Sequence, residues 1–249
     1  MAAQTDFSLT TALSCAPSTS GSSSFPLLPR HLRRLRTAHE RLARELPDCW
    51  CSSAAFPSDE KLVEELERAV EAAGKEGNEG SLRLRLNVDP SGQPQAEAFP
   101  LVPMPDYPVR LVLDDRPTEY DDPFLRYKTT KRAKYDDARA RHGATLRPSS
   151  SRPDPPFDVL LFNPRHELTE TTIANVAFRF SPTGPFITPR TDCGLLEGVQ
   201  RAELLEKGEV VEGVVTIDEV RKAAEAETLE IICFNGVRGV YKACIAPSS

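Results

Sequence analysis

A basic segment in the middle of the chain contains the residues best suited to nucleophilic chemistry. Between Phe124 and Arg147 the sequence has eight lysines and arginines against two acids. A lysine that points into an apolar site loses its charge readily, and the neutral amine can then attack a carbonyl carbon and form a Schiff base. A solvated helix face would explain the same charges. Periodicity does not choose between the candidates Lys128, Lys131 and Lys134.

Three further segments contain polar groups that could take part in a binding site. Glu170 lies where a loop meets a predicted strand, between threonines. Gly198 precedes a predicted helix from Val199 to Lys207, where a glycine lets an anion approach the backbone N–H groups of the first turn. In FNGVRG, residues 234–239, two glycines flank an arginine. Each segment by itself is equally compatible with an exposed residue or an ordinary turn.

The composition excludes several functional classes. The 249 residues are 39% hydrophobic and 27% charged, which is typical of a folded globular protein. The net charge of -6 argues against a protein that binds nucleic acid with its whole surface. No apolar run approaches the roughly 20 residues of a membrane helix, and the first 15 residues lack the pattern of an export signal. We therefore expect a cytoplasmic protein that binds neither nucleic acid nor membrane.

The cysteines and histidines do not predict a metal centre. Six cysteines are spread along the chain without the spacing of a disulfide framework. Cys49 and Cys51 form one close pair, but no second pair completes a zinc site. His166-Glu167 lacks the second histidine of a zinc-protease helix. We expect reduced thiols and no metal.

The elements that must position these residues form two mixed helix-and-strand regions. Residues 1–113 and residues 124–249 are separated by DDRPTEYDDP, residues 114–123, which has five acids and two prolines and predicts an interdomain linker. Hydrophobic periodicity predicts strands at 6–15, 82–88, 108–113, 157–163, 171–180 and 227–234, and helices at 29–45, 58–73, 199–207 and 217–226.

Taken in order, the segments resemble the class IV aminotransferase family, the pyridoxal-phosphate enzymes of fold type IV, and within it the 4-amino-4-deoxychorismate lyases and lyase-like proteins of fungi. The resemblance covers most of the chain. It implies an α+β fold, with a smaller N-terminal α/β domain and a larger C-terminal mixed β-barrel-like domain with helices. Its motifs are RHLRRL, RYKTTKRAKYDDAR, ELTETTIANVAF, TPRTDCGLLEGVQR and FNGVRGV, which begin at residues 30, 126, 167, 188 and 234.

The resemblance implies the cofactor pyridoxal 5'-phosphate and roles for individual residues. Lys128 matches the lysine that carries the cofactor and moves protons at the substrate carbon. Glu170 matches the acid that pairs with the pyridine nitrogen, where a carboxylate keeps the ring protonated. Arg34, in RHLRRL, matches an arginine that binds the cofactor phosphate, a task that suits a guanidinium group.

The remaining phosphate contacts are implied in the same way. Val199 and Gln200 match the first-turn positions whose backbone N–H groups contact the phosphate. Gly236 and Val237 match the other side of the phosphate site. Asn175 lies in the family's strand motif and is expected to orient the surroundings of Glu170.

Two features bear on the reaction and the substrate. Thr10 and Thr11, in SLTTAL, resemble the paired threonines of the lyase, and the Thr11 hydroxyl could place the substrate or move a proton. Ordinary β-branched strand residues are the alternative interpretation of the same pair. Arg83 or Arg85 could bind a substrate carboxylate, but only from the inward face of the strand, and the sequence does not say which face is inward.

We therefore expect a lyase that converts 4-amino-4-deoxychorismate to 4-aminobenzoate, a folate precursor, and pyruvate. A transaminase of branched-chain or D-amino acids from the same family is the alternative. A non-catalytic relative that keeps the fold for binding is the alternative from another class. The resemblance also implies a homodimer that acts on a small molecule.

Overall fold

The computed structural model describes residues 6–16, 24–78, 80–120, 122–148 and 155–245. The first five residues, on which the expectation about an export signal partly rests, therefore lie outside the described residues. None of the helices in these ranges combines the length and the apolar surface that a bilayer crossing requires.

The described residues form two compact units. The smaller unit contains the residues up to Val102 together with Tyr127–Lys131. The larger unit contains Pro103–Arg126 and the chain from Arg132 onward. The five residues around Lys128 thus belong to the smaller unit, although the chain on both sides of them belongs to the larger one.

The smaller unit is a three-stranded antiparallel sheet with two helices, and its sheet order is β1-β2-β3. Strict alternation correctly predicts the middle strand, because its leucines are buried and its two arginines are exposed. Its elements are β1 (Leu9–Cys15), α1 (Leu28–Glu45), α2 (Asp59–Lys75), β2 (Leu82–Val88) and β3 (Pro94–Pro100).

The sequence next to each helix of the smaller unit explains where the helix begins, and the spacing of its apolar residues explains which face is buried. α1 has proline in its first turn and buries one face through residues spaced three or four apart. α2 begins after Ser58, whose hydroxyl accepts a hydrogen bond from the N–H of Lys61. The buried residues of α1 are His31, Leu32, Leu35, Ala38 and Leu42.

The larger unit is built on a mixed eight-stranded sheet of order β6-β5-β4-β11-β10-β7-β8-β9. Its apolar core lies on the central strands and includes Phe157, Val176 and Phe178. The strands are β4 (Val109–Leu113), β5 (Asp158–Phe162), β6 (Leu168–Thr171), β7 (Asn175–Arg179), β8 (Phe186–Pro189), β9 (Val210–Gly213), β10 (Glu230–Asn235) and β11 (Gly239–Ile245), and the helices are α3 (Pro123–Arg126), α4 (Ala133–His142), α5 (Val199–Glu206) and α6 (Ile217–Glu225). The α+β architecture implied by the resemblance is confirmed.

The structure divides the chain at a different place from the sequence. β4 pairs in parallel with β5 and with β11, so it belongs to the sheet of the larger unit. The segment after it, expected as a linker, also belongs there: the N–H of Asp114 donates to the carbonyl of Leu160, and its carboxylate is bound by Arg141. The acidic composition of the segment indicated a linker. The composition does not show that Asp114 is bound by residues of α4, of which Arg141 is 27 positions further along the chain.

Candidate active site

The Lys128 segment runs beside β1 in the smaller unit. The N–H of Thr10 donates to the carbonyl of Lys128 over 3.0 Å, and the N–H of Thr130 donates to the carbonyl of Ser8 over 3.0 Å. Thr129 forms a β-bridge with Leu9. These contacts hold the Lys128 backbone against the strand that contains Thr10 and Thr11.

The three candidate lysines differ in their surroundings. Lys128 is half-buried. Lys134, at the start of α4, is exposed, donates to the carbonyl of Glu119 and lies 3.9 Å from an Asp122 carboxylate oxygen. Lys131 is partly buried and its backbone N–H donates to the hydroxyl of Thr129. Lys134 is thus accounted for as a surface residue in the larger unit.

The hydroxyl of Thr11 is the centre of a buried polar cluster. Thr11 and His31 have no exposed surface, and the Thr11 Oγ1 lies 2.7 Å from Nδ1 of His31. Arg34 donates from Nη2 to the same oxygen over 2.8 Å. Burial, with the positive charges of Arg34 and Lys128, lowers the pKa of His31 to about 3. His31 is therefore neutral at physiological pH.

Arg34 has the properties expected of an anion-binding residue. Burial lowers the pKa of its guanidinium group to about 10, so it stays charged at neutral pH. Its Nε is buried, and no acceptor is found for it among the residues that the structure describes. A buried, charged guanidinium with an N–H group to spare fits a phosphate ligand.

Glu170 is a buried carboxylate surrounded by hydrogen-bond donors in the larger unit. It lies in β6 and is only 3% exposed. The hydroxyl of Tyr135 donates to it over 2.7 Å, the N–H of Leu196 over 3.1 Å, and Nδ2 of Asn175 lies 3.5 Å away. Donors of this kind stabilise an ionised carboxylate, which is the state that would pair with a protonated ring nitrogen.

Two tyrosines accompany Glu170, the buried Tyr135 and the partly buried Tyr120. Burial and the charge of Glu170 raise the pKa of Tyr135 and of Tyr120 well above the ordinary phenol value, so both hydroxyls keep their protons. Tyr120 lies 2.7 Å from the hydroxyl of Thr169, the residue before Glu170. Sequence reasoning missed both tyrosines. Tyr135 lies inside the RYKTTKRAKYDDAR motif, but nothing in the spacing connects it to Glu170.

Asn175 connects the start of α5 to the surroundings of Glu170. Nδ2 of Asn175, in β7, donates to the carbonyl of Leu196 over 2.8 Å. A Cβ atom at Gly198, the residue that precedes α5, would lie 2.0 Å from Oδ1 of Asn175. Only glycine allows this approach. The structure thus places Asn175 between Glu170 and the turn that leads to Val199 and Gln200.

The turn after β10 is held by its own asparagine. Oδ1 of Asn235 accepts hydrogen bonds from the N–H groups of Val237 and Arg238, at 3.0 and 2.8 Å. Its Nδ2 donates to the carbonyl of Ile173. The predicted role of Gly236 and Val237 stays a prediction, and the N–H of Val237 already has an acceptor in this structure.

The two arginines of β2 lie on the exposed face of their strand. Arg85 donates to Glu97 of β3, and Arg83 stacks on the ring of Phe99. The inward face is the one that carries Leu84, on which neither arginine lies. Neither arginine thus meets the condition of an inward position, and their contact with a substrate carboxylate stays a prediction without support from the burial of β2.

The structure therefore assembles two sets of site residues. Lys128, Thr11 and Arg34 are grouped in the smaller unit, together with His31, which the sequence analysis did not single out. The larger unit groups Glu170 and Asn175 with the start of α5. The only sequence signal for His31 was its position in RHLRRL, one α-helical turn before Arg34.

Comparison with known proteins gives relatives that are named for each of the two reactions. A relative from Schizosaccharomyces pombe, named "Putative aminodeoxychorismate lyase", is 30% identical over 220 residues, which cover 87% of this chain and 82% of the relative. A solved structure from Mesorhizobium loti, named "Putative amino-acid aminotransferase", is 30% identical with a TM-score of 0.77, and the alignment covers 97% of this chain and 100% of that chain.

More distant structures share the fold. The 4-amino-4-deoxychorismate lyase from Pseudomonas aeruginosa is 20% identical with a TM-score of 0.63, and the alignment covers 99% of this chain and 85% of that chain. The family model "Amino-transferase class IV" matches residues 19–242, which is most of the sequence. The chain therefore belongs to the class IV aminotransferase family.

Proposed function

We propose that this protein binds pyridoxal 5'-phosphate and converts 4-amino-4-deoxychorismate to 4-aminobenzoate and pyruvate. Membership of the family supports the cofactor, and the fungal relative named for this activity supports the reaction. The observation that carries the proposal is the buried Thr11 hydroxyl, which lies in the strand against which the Lys128 backbone is held. The reaction would supply a folate precursor.

The residues present fit the proposed cofactor at three points. Lys128 would hold it covalently through its amine, Arg34 would bind its phosphate, and Glu170 would pair with its ring nitrogen. The Nε of Arg34, for which the described residues offer no acceptor, and the donors around Glu170 support these assignments. The first turn of α5, with Val199 and Gln200, would add backbone N–H groups to the phosphate site.

The chemistry then divides between the cofactor and the protein. Bound pyridoxal phosphate supplies an electron sink that stabilises negative charge at the substrate carbon after proton loss. Nζ of Lys128, released when the amino group of the substrate takes its place, would remove the proton from the carbon that bears that amino group. Glu170 would keep the ring nitrogen protonated, and Thr11 would hydrogen-bond the part of the substrate that leaves as pyruvate.

A transaminase is the second candidate. Its support is the Mesorhizobium loti structure named as an aminotransferase. The alignment covers the whole of that structure and 97% of this chain. Both reactions begin with loss of the same proton, and they differ in whether pyruvate is expelled or a keto acid is released. The paired Thr10 and Thr11 favour the lyase.

The first test is an absorption spectrum of the purified chain with pyridoxal phosphate, beside Lys128→Ala and Lys134→Ala. We expect a visible band of lysine-bound cofactor in the wild type and in Lys134→Ala, and its loss in Lys128→Ala, because only Lys128 is expected to carry the cofactor. A band that survives in Lys128→Ala would overturn that assignment. A wild type without any band would favour a binding relative.

The second measurement separates lyase from transaminase. The wild type is supplied with 4-amino-4-deoxychorismate, and 4-aminobenzoate and pyruvate are measured by chromatography. The same protein is then given branched-chain and D-amino acids with a keto acid acceptor. Equal amounts of 4-aminobenzoate and pyruvate support the lyase, whereas keto acid formed only in the second assay supports the transaminase.

The assembly and location of the enzyme are part of the same proposal. We propose a cytoplasmic homodimer, in line with the resemblance to the family. Light scattering of the purified protein measures its mass directly, and a mass near 27.5 kDa would contradict the dimer.

A further inference from the structure

The hydroxyl of Thr11 is constrained by the number of hydrogen bonds it can make. A threonine hydroxyl has one hydrogen to donate and two lone pairs that accept. Arg34 can only donate, so its Nη2 occupies one lone pair of the Thr11 oxygen. The remaining observed contact of that oxygen is with Nδ1 of His31. Which ring nitrogen of His31 carries the hydrogen therefore decides whether the Thr11 hydroxyl must donate to His31 or can donate to another group.

Two tautomers of His31 are possible, and they have opposite consequences. If the hydrogen is on Nε2, Thr11 must donate to Nδ1, and an N–H group is left in the interior. Nε2 of His31 is buried and has no hydrogen-bond partner in the part of the chain that the structure describes. If the hydrogen is on Nδ1, it is satisfied by Thr11, and only an acceptor nitrogen remains unpaired.

The Nδ1–H tautomer is favoured because buried N–H groups without an acceptor are rare in proteins, whereas an acceptor that lacks a donor is better tolerated. The doubly protonated ring is excluded as well, since burial and the charges of Arg34 and Lys128 keep the pKa of His31 far below neutrality. The ring of His31 therefore has a single N–H group, at Nδ1, and the Thr11 oxygen is its acceptor.

We propose that His31 is a positioning residue that donates from Nδ1 to Thr11, so that both lone pairs of Thr11 are occupied and its hydroxyl serves only as a donor. This inference rests on the proposed function and deepens it. Thr11 then presents its hydrogen to an acceptor oxygen of the substrate, such as a carboxylate, and does not act as a base.

The same network relates Thr11 to the phosphate site. Arg34 uses Nη2 for Thr11 and keeps its buried Nε–H for another acceptor. One guanidinium group would therefore hold the substrate-binding hydroxyl and the cofactor phosphate at a constant separation. His31 would donate to the second lone pair of the Thr11 oxygen and so fix the direction of its hydroxyl hydrogen.

The tautomer can be measured without any enzymatic turnover. Nitrogen NMR of the full chain labelled with ¹⁵N-histidine distinguishes protonated from unprotonated ring nitrogens, and the chain has four histidines. His31 is assigned as the signal that disappears in His31→Asn. We expect a protonated Nδ1 and an unprotonated Nε2, with and without pyridoxal phosphate. A protonated Nε2 overturns the proposal, whatever the enzyme proves to catalyse.

A pair of variants tests the consequence for catalysis. The amide of His31→Asn can place a donor where Nδ1 lies, whereas the amide of His31→Gln reaches the position of Nε2. We expect His31→Asn to keep kcat within about threefold of the wild type and His31→Gln to lose roughly tenfold, with KM changing less and the visible cofactor band retained in both. Equal kcat in the two variants would overturn the positioning role.

Thr11→Val serves as the partner control. Removal of the hydroxyl takes away the acceptor of the Nδ1–H, so the ring nitrogen signals of His31 should shift in this variant. Unchanged signals would show that Thr11 does not accept from His31. If the proposed function fails and no turnover is found, the NMR result on the wild type still decides the tautomer.

Discussion

The carboxylate of Glu170 is contacted by hydrogen-bond donors from three different parts of the larger unit. The hydroxyl of Tyr135 comes from α4, the N–H of Leu196 from the loop before α5, and the amide of Asn175 from β7. Because these donors approach from separate elements, they orient the carboxylate as well as stabilising its charge. A single lost donor should therefore weaken the proposed contact with the cofactor ring without removing it.

Tyr135→Phe tests this arrangement at the scale of one hydroxyl group. We expect pyridoxal phosphate to bind roughly fivefold more weakly, because a hydrogen bond of this kind contributes about 1 kcal/mol. Spectroscopic titration of the variant with the cofactor measures the change. Tyr120→Phe is the control, since its hydroxyl bonds to Thr169 and not to Glu170. Identical cofactor affinity in wild type and Tyr135→Phe would contradict the role of Tyr135.

At the scale of elements, the contact between β7 and the start of α5 decides which residue can occupy position 198. Asn175 approaches so closely that a side chain there would collide with its amide. The asparagine also holds the carbonyl of Leu196, whose N–H donates to Glu170. The glycine that the sequence suggests as an anion site is thus required by packing in any case.

Gly198→Ala should destabilise the protein and disturb the proposed phosphate site. We expect a loss of about 2 kcal/mol in the free energy of unfolding, since an added methyl group in a packed position must displace Asn175. Urea unfolding measures the loss, and cofactor titration should show weaker binding. Gly74→Ala, in α2, is the matched control: a Cβ there meets nothing within 4 Å, and stability should be unchanged or slightly higher. Equal stability of the two variants would count against the packing argument.

At the scale of the whole molecule, a charge cluster around the buried Asp114 links the end of β4 to α4 and makes stability depend on pH. Asp114, which is 4% exposed, accepts hydrogen bonds from Arg141 and His142. Burial by itself would raise the pKa of Asp114, but the hydrogen bonds from Arg141 and His142 and the charge of Arg141 lower it below the ordinary value. Asp115 and His142 lie close enough to share a metal ion with it, but Arg141 already pairs with both carboxylates.

The lowered pKa of Asp114 predicts a loss of stability in acid. A carboxyl group whose pKa is depressed in the folded state stabilises the protein above its unfolded pKa, near 4, and this contribution disappears as the pH falls through the folded value. Asp114→Asn should therefore be less stable than the wild type by about 2 kcal/mol at pH 7 and by much less at about pH 2. Urea unfolding at both pH values measures this, and a difference that stays constant with pH would contradict the prediction.

The accuracy of the predicted elements follows from how regular each pattern is. β2 was predicted with its observed bounds because each alternate residue is apolar and buried. α1 and α2 were predicted to within a few residues because their apolar faces repeat at helical spacing. β3 was missed: it has proline at both ends and no fully buried residue. α4 was missed as well, because only Tyr135 and Ala138 are buried in it.

The sequence by itself determined the family and the order of the motifs around Lys128, Arg34 and Glu170, because residue identity and spacing are local properties of the chain. Only the tertiary structure decided which polar groups act on each other. Thr11 and His31 are 20 residues apart and meet because β1 packs against α1, while Tyr135 and Glu170 are 35 apart and meet in the larger unit. A hydrogen bond depends on distance and direction in space, and no periodicity of the sequence records either.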